Sequence, residues 1–445
     1  MFPNPQDALP LPPSPNIQQY KKQAKNLVKA CKSGSPDAFD TWARSWIETL
    51  VALSGPTIPA ESRVRVDRWI AQVADFARRR LEVLIPARAG CALADAQFVI
   101  ARCHGFESWP KFAKHIAFLN RASSPVSKFE LAADAIVAGD AVVLEQLLRE
   151  SPELIRARST REHNATLLHY TSANGVEGYR QKTPKNAAQI AAIVLRAEAE
   201  VDAEANVYGG GWTTLGLVAT SVHPERTGVQ KQLLQILLRY GAAMERPGAA
   251  GSEHSIVVDC LANGRGKAAE FLAHRGARLD LEGAAGVGRL DVVKALLNED
   301  GNLKANATRT QMERGFLWAC EYGRLDVIEF LCEKGVDLST QGSTGETGLH
   351  WAVVGGQLEV IKVLLKRGAS LEALNAYGGT ALSQALWSVV NGDPGIDYVR
   401  TIAMLLEAGA KIEEDSLAWL AKQVGGSAIG KVRIAEMLRS HGAKS

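Results

Sequence analysis

From residue 16 onward apolar side chains recur at three- and four-residue steps, in short runs that break at glycines or polar turns, the signature of helices with one buried face. Ile17, Tyr20, Ala24, Leu27 and Cys31 share one such face, which stops at Gly34. Ser35 and Pro36 then cap a second helix carrying Phe39, Trp42 and Trp46. After a loop, SGPTIPAES, the spacing of Val66, Trp69, Val73 and Phe76 predicts a third helix, and Leu93, Ala96, Ile100 and Cys103 predict a fourth that reaches His104. Gly105 ends it. Ser108 caps a fifth, with Pro110 in its first turn and Trp109, Phe112, Ile116 and Leu119 on one side. On this reading Cys103 is a core thiol, His104 is a last-turn imidazole favoured by the helix dipole, and Trp109 docks these helices onto the chain beyond residue 128.

Beyond residue 128 the pattern becomes periodic. LLRYGAAM, FLAHRGARL, ALLNEDGNL, FLCEKGVDL, LLKRGASL, LLEAGAKI and MLRSHGA each end a Leu-rich helix at a glycine: Gly241, Gly276, Gly301, Gly335, Gly368, Gly409 and Gly442. Their spacings of 35, 25, 34, 33, 41 and 33 residues centre on 33. Such a phrase is a helix stop, in which glycine takes the left-handed conformation and turns the chain outward.

The unit from Ser343 to Asn375, STGETGLHWAVVGGQLEVIKVLLKRGASLEALN, resembles the ankyrin repeat. Thr347, Gly348, Leu349 and His350 stand where that family has its Thr-Pro-Leu-His turn, Ala352 where its first helix needs a small residue, and Gly356 at its interhelix turn. Gly348 replaces the family's proline. Neighbouring units fit less closely: residues 314–338 lose the turn, 281–303 are short, and 164–175 keep Thr-Leu-Leu-His before an insert, VEGYRQKTPKN. The stretches 207–245 and 376–413 carry extra residues, 254–276 match weakly, and units near 129–163 and 415–445 flank the stack. The resemblance implies an all-α, ankyrin-repeat α-solenoid of about nine irregular helix-turn-helix units, stable only by stacking. The expected layout is an extended Pro-rich tail over 1–15, a helical domain over 16–124 and an ankyrin repeat domain over 125–445. QQYKKQAKNLVKACKSGSPDAF and LADAQFVIARCHGFESWPKFAKHI are similar to short helical modules ahead of ankyrin repeats in bacterial proteins.

Composition changes this picture little. With 46% hydrophobic and 22% charged residues, no run long and apolar enough to span a bilayer and no signal-like start, the chain reads as globular, cytoplasmic and without a membrane partner. Six scattered cysteines, Cys31, Cys91, Cys103, Cys260, Cys320 and Cys332, lack CxxC spacing and are expected as free buried thiols in a reducing compartment. The net charge of +3 is uneven: residues 1–127 hold 17 Lys and Arg against 10 Asp and Glu, with Arg78, Arg79 and Arg80 the densest run. No aromatic residues interleave with that run, so a nucleic-acid partner is not expected.

The motifs of hydrolases, zinc enzymes and phosphate loops are missing, and no catalytic, cofactor or metal residues are assigned. Gly209, Gly210 and Gly211 read as a repeat fingertip, and His169 and His350 as the residues that hold the repeat turn. The resemblance instead implies recognition along the fingertips and exposed first-helix positions. Carried over residue by residue, these are Tyr208, Trp212, Ser343, Thr344, Glu346 and Tyr377 at fingertips, and Asn174, Ser221, Glu321, Tyr322 and Trp387 on first helices. Trp318 and Trp351 fall at inward-facing positions and are expected in the core. The expected function is a non-enzymatic interaction module gripping a protein or peptide. The alternative is a small-molecule binder or enzyme with a pocket between the N-terminal helices and the first distorted repeats, near Glu162, His163 and His223.

Overall fold

The computed structural model describes residues 3–53, 62–82, 91–245, 255–423 and 428–443; most of the SGPTIPAES loop lies outside them. The chain forms two compact units, Met1–Glu253 and His254–Ser445.

The first unit opens with α1 (Ile17–Ser33), α2 (Ala38–Leu53), α3 (Ser62–Glu82), α4 (Leu93–Cys103) and α5 (Trp109–Leu119). The side chain of Asn16 caps α1 by accepting the Gln18 N–H, and Gly34 ends it at φ 67°. Tyr20, Leu27, Trp42, Trp46, Val73, Ile100, Phe106 and Phe112 fill the core between these helices. Each such side chain contributes on the order of 1.5–3 kcal/mol by leaving water. Leu93, expected on the inner face, is instead 42% exposed, so the buried stripe of α4 begins at Ala96.

His104 is not a surface imidazole at a helix end. It is fully buried, stacks on Phe112 with centroids 5.1 Å apart, and its Nδ1–H donates to the Leu9 carbonyl at 3.1 Å. Burial drives its pKa down to about 3, so it is neutral and has no charge to offer the helix dipole. The expectation of six free thiols also needs correction. Cys31 and Cys91 are joined in a disulfide across 60 residues, with Cα atoms 6.4 Å apart, while Cys103, Cys260, Cys320 and Cys332 are free.

The proline-rich start does not stand off in solvent. Ala8 and Leu9 are buried, the Leu9 N–H donates to the Cys103 carbonyl at 2.8 Å, and the Asn120 side chain holds the Pro15 carbonyl. Gly178 admits this strap: a Cβ there would lie 2.3 Å from the Gln6 carbonyl oxygen.

The chain then pairs α6 (Pro125–Ala138) with α7 (Ala141–Glu150), and a 3-10 turn (Leu167–Ser172) with α8 (Ala187–Arg196). A hairpin of β1 (Glu204–Ala205) and β2 (Trp212–Thr213) follows, with Gly209, Gly210 and Gly211 in its loop at positive φ. It leads into α9 (Thr214–Thr220), α10 (Val222–Arg226) and α11 (Gln230–Arg239). In the second unit the pairs are α12 (Ile256–Ala262) with α13 (Gly266–His274), α14 (Leu281–Gly286) with α15 (Leu290–Ala295), and α16 (Arg309–Glu321) with α17 (Leu325–Glu333). Then come α18 (Gly348–Val354) with α19 (Leu358–Lys366), α20 (Ala381–Asn391) with α21 (Tyr398–Glu407), and α22 (Ser416–Lys422) with α23 (Ala428–Ser440). First helices pack on one another in chain order, α12 on α14, α16, α18 and α20 in turn, over one continuous core from Leu281 to Leu438. Of the seven glycines in the repeated phrase, all at φ between 78° and 97°, six close a helix as expected; Gly301 instead sits in a turn between Asn298 and Asn302, beyond the end of α15 at Ala295.

Two units share a tie that passes between repeats. The Thr347 N–H donates to His350 Nδ1 at 3.2 Å, and His350 Nε2–H donates to the Gly379 carbonyl of the next turn at 3.2 Å. His169 does the same between the Thr166 N–H and the Trp212 carbonyl. Nδ1 accepts and Nε2 donates, so both rings are neutral, and burial lowers the pKa of each, that of His169 to about 4.

These rings give a pH signature. His104, His115 and His169, held at about 3, 4 and 4 against the usual 6.5, stay neutral in the fold while the unfolded chain takes protons. Their contribution is complete above pH 6.5 and falls as pH drops toward 4, each losing about 2 kcal/mol by pH 5. In urea titrations at pH 7.5 and pH 5, His169→Gln should lose about 2 kcal/mol less than the parent between the two pH values.

Candidate functional site

The fold places a groove of about 730 Å³ along the second unit, lined by Trp351 of α18, Trp387 with Ser383 and Gln384 of α20, Trp419 of α22, and the turn Asn375–Gly379. Its position follows from the turns that precede each first helix. In one, the Gly342 N–H donates to the Glu346 carbonyl; in the next, Asn375 does the same to Gly379, and Asn375 Oδ1 accepts from the N–H groups of Tyr377 and Gly379. The two turns are joined by the Ala376 N–H, which donates to the Thr344 carbonyl at 2.9 Å. A Cβ on Gly345 would sit 2.6 Å from that Ala376 nitrogen, so glycine is required for the approach. Tyr377 is thus held on a rigid turn with its ring 81% exposed, and Trp387 is 49% exposed on α20.

Three carboxylates line the same groove. Glu346 is buried, with one oxygen accepting from the Thr344 hydroxyl; Glu413 accepts from the Ser383 hydroxyl, and Asp415 lies beside Ser416. Among the described residues none of the three is in an ion pair, and no Lys, Arg or His lines the groove. Of the residues expected at a binding surface, Glu346, Tyr377 and Trp387 therefore meet here, with Thr344 bonded to Glu346 and Ser343 exposed on the adjoining turn.

The others serve different ends. In the first unit the Tyr208 hydroxyl lies 2.8 Å from Gln6 Oε1 and 2.7 Å from Asn174 Oδ1, and its ring meets Trp212 edge-on. These residues hold the N-terminal strap and the hairpin. Asn174 is half-buried and bonded to Leu217 and Thr220, and Ser221 is buried. Tyr322 is no exposed first-helix residue: its hydroxyl donates to the Leu261 carbonyl at 2.8 Å, and its ring leaves no room for a Cβ on Gly266. Glu321 is likewise enclosed, with Oε2 unpartnered among the described residues. Trp318 and Trp351, expected in the core, are half-buried neighbours 5.6 Å apart; Trp318 donates to Glu282 and Trp351 faces the groove. Sequence reasoning missed Trp351, Trp419, Glu413 and Asp415. The 33-residue step from Trp318 to Trp351 was a usable signal, since a residue repeated at one unit's period occupies one face.

The region between the N-terminal helices and the first distorted repeats is filled with bonded charge. Arg161 Nη1 lies 2.6 Å from Glu130 and 2.9 Å from Glu177, and Arg180 lies 2.6 Å from Glu130 and 2.7 Å from Asp134, with Glu130, Arg161, Glu177 and Arg180 all buried. Glu177 and Arg180 come from the insert after the Thr-Leu-Leu-His turn. Burial opposes ionisation of Glu130, but Arg161 and Arg180 outweigh it and hold the carboxyl at about 2. His163 faces Glu177, and Glu162 pairs with Arg102 of α4. The bonds joining α4 and α5 to the repeats come from Arg102, from the Gly105 carbonyl to the Glu162 N–H, and from His115 to Thr160; Trp109, expected to dock them, packs on Phe112. The basic run is also engaged: Arg78 pairs with Asp40, Arg79 with Asp75, and Arg80 lies over Phe98.

Glu321 makes a clear test. Burial raises its carboxyl to about 8, above the usual 4.5, so the fold binds a proton that the unfolded chain releases, and stability falls as pH rises from 4.5 toward 8. Glu321→Gln should remove that slope and stabilise the protein by about 3 kcal/mol at pH 7.5, read from urea unfolding. In the charge cluster, Arg161→Met should cost about 3–5 kcal/mol, because it leaves Glu177 and Glu130 short of a counter-charge.

Residues 316–415 match the family model for ankyrin repeats, in 3 copies. No curated protein sequence matches the chain. The matched segment runs from the middle of α16 to the start of α22 and contains the Thr-Gly-Leu-His turn, its histidine tie and all but two of the groove's lining residues. Over residues 316–415, therefore, the chain carries ankyrin repeats.

Proposed function

We propose that this protein is a non-enzymatic interaction module that binds a protein or peptide in the groove formed by Trp351, Tyr377, Trp387 and Trp419. The observation that carries this is the coincidence of groove and family. The groove lies on the segment matched by ankyrin repeats, which are in general protein–protein interaction modules. The reading takes residues 125–445 as about nine stacked units, with the irregular early ones serving to seat the N-terminal helices. Large, rigid aromatic side chains with a polar edge, held on a bonded turn, suit binding because little conformational freedom is lost on contact.

A photo-crosslinking amino acid at Tyr377 should capture a partner that the same group at Val142, 76% exposed in the first unit, does not. Adding Trp387→Ala should leave the melting temperature unchanged and weaken that capture by about 30-fold, the loss of one interface hot spot. Equal capture from both positions would overturn the assignment.

A further inference from the structure

The chemistry of the groove narrows the class of its occupant. Elsewhere this chain covers its own aromatic faces with its own cations: Arg80 lies 4.9 Å from the Phe98 centroid, Arg275 5.3 Å from Phe271 and Lys294 5.5 Å from Phe330. In the groove, four aromatic side chains and three carboxylates are gathered with no cation among the lining residues. Glu346 is 8% exposed, and among the described residues its carboxylate is bonded to a neutral hydroxyl. A carboxylate so enclosed gains from an incoming positive charge, and the electron-rich faces of Trp and Tyr favour the same guest.

We propose, resting on the interaction-module reading, that the occupant is a peptide segment presenting an Arg or Lys side chain. The cation lies against Trp387 and Tyr377 within the field of Glu346, Glu413 and Asp415. The aliphatic stem of that side chain covers the apolar wall at Trp351 and Leu386, as long cationic side chains do along apolar surface. Gly378 and Gly379 add no side chains to the lining, and a Cβ on Gly378 would meet nothing within 4 Å, so peptide backbone has room to pass there. A groove of about 730 Å³ is large enough for one long side chain and its neighbouring backbone.

The test is selection of displayed random peptides on the full chain, followed by fluorescence anisotropy with synthetic copies in which Arg is replaced by citrulline or Lys by norleucine. Both replacements remove the charge; citrulline keeps the length of Arg, and norleucine keeps the aliphatic stem of Lys. The expected result is enrichment of Arg- or Lys-bearing peptides whose binding weakens about tenfold on neutral replacement, on Glu413→Gln, and on Trp387→Ala, and falls with added salt. Thermal melts of both variants should match the parent, since both side chains are exposed. Enriched peptides that lack a cation, or whose neutral copies bind within about twofold, would overturn the charge assignment and leave the peptide groove standing. No enrichment at all, or cation-dependent binding untouched by Trp387→Ala, would overturn both. Self-association of the full chain that Trp387→Ala abolishes would put a second copy in the groove and overturn the peptide occupant.

Discussion

A two-helix pair cannot bury its own apolar faces, and that constraint organises the second compact unit from α12 to α23. Leu349 and Ala352 of α18 are buried only because α16 lies on one side and α20 on the other. Packing alone leaves the stagger of successive units loosely specified, since helix faces can slide. The neutral imidazoles of His169 and His350 remove that freedom, each holding its own turn with Nδ1 and the next turn's carbonyl with Nε2. Register between units is thus carried by hydrogen bonds in one direction and by hydrophobic burial in the other. The groove depends on that register, because Trp351, Tyr377, Trp387 and Trp419 come from three successive units and meet only when the units are aligned.

In the first unit the same problem is solved by charge. Between the N-terminal helices and the helices that follow them, Glu130, Arg161, Glu177 and Arg180 are buried against one another. Such a cluster is a weaker source of stability than an apolar plug of the same volume, but it accepts only one arrangement, since any displacement leaves a buried charge without its partner. The insert that interrupts the second repeat is therefore a structural part: its Glu177 and Arg180 reach back to α6.

Much of the fold was legible because its signals are local. A glycine that ends a helix is set by backbone sterics, and six of the seven stops are where the repeated phrase places them; at Gly301 the helix has already ended at Ala295. Ser108 caps α5 as its position beside a helical run implies. The site was legible only in part. Tyr377 and Trp387 stand out because turn tips and outward helix positions are dictated by the repeat itself. Tyr322 occupies a like outward position but is covered by α12 and α13 of an earlier helical pair, a contact that depends on how the pairs stack and has no trace in its own neighbourhood. His104 misleads for a similar reason. Its helix ends as expected, yet Leu9, nearly a hundred residues earlier, closes over it.

The N-terminal strap has a consequence for the order of assembly. Gln6 meets Tyr208 across 202 residues, and Leu9 meets His104 across 95. During synthesis this strap waits for the hairpin that carries Tyr208, which emerges about two hundred residues after it. Long-range closures of this kind are slow because the loop must be ordered before the contact repays it. Until then Ala8, Leu9 and the imidazole beneath them face water, and the first unit is a partly built structure with its lid unattached.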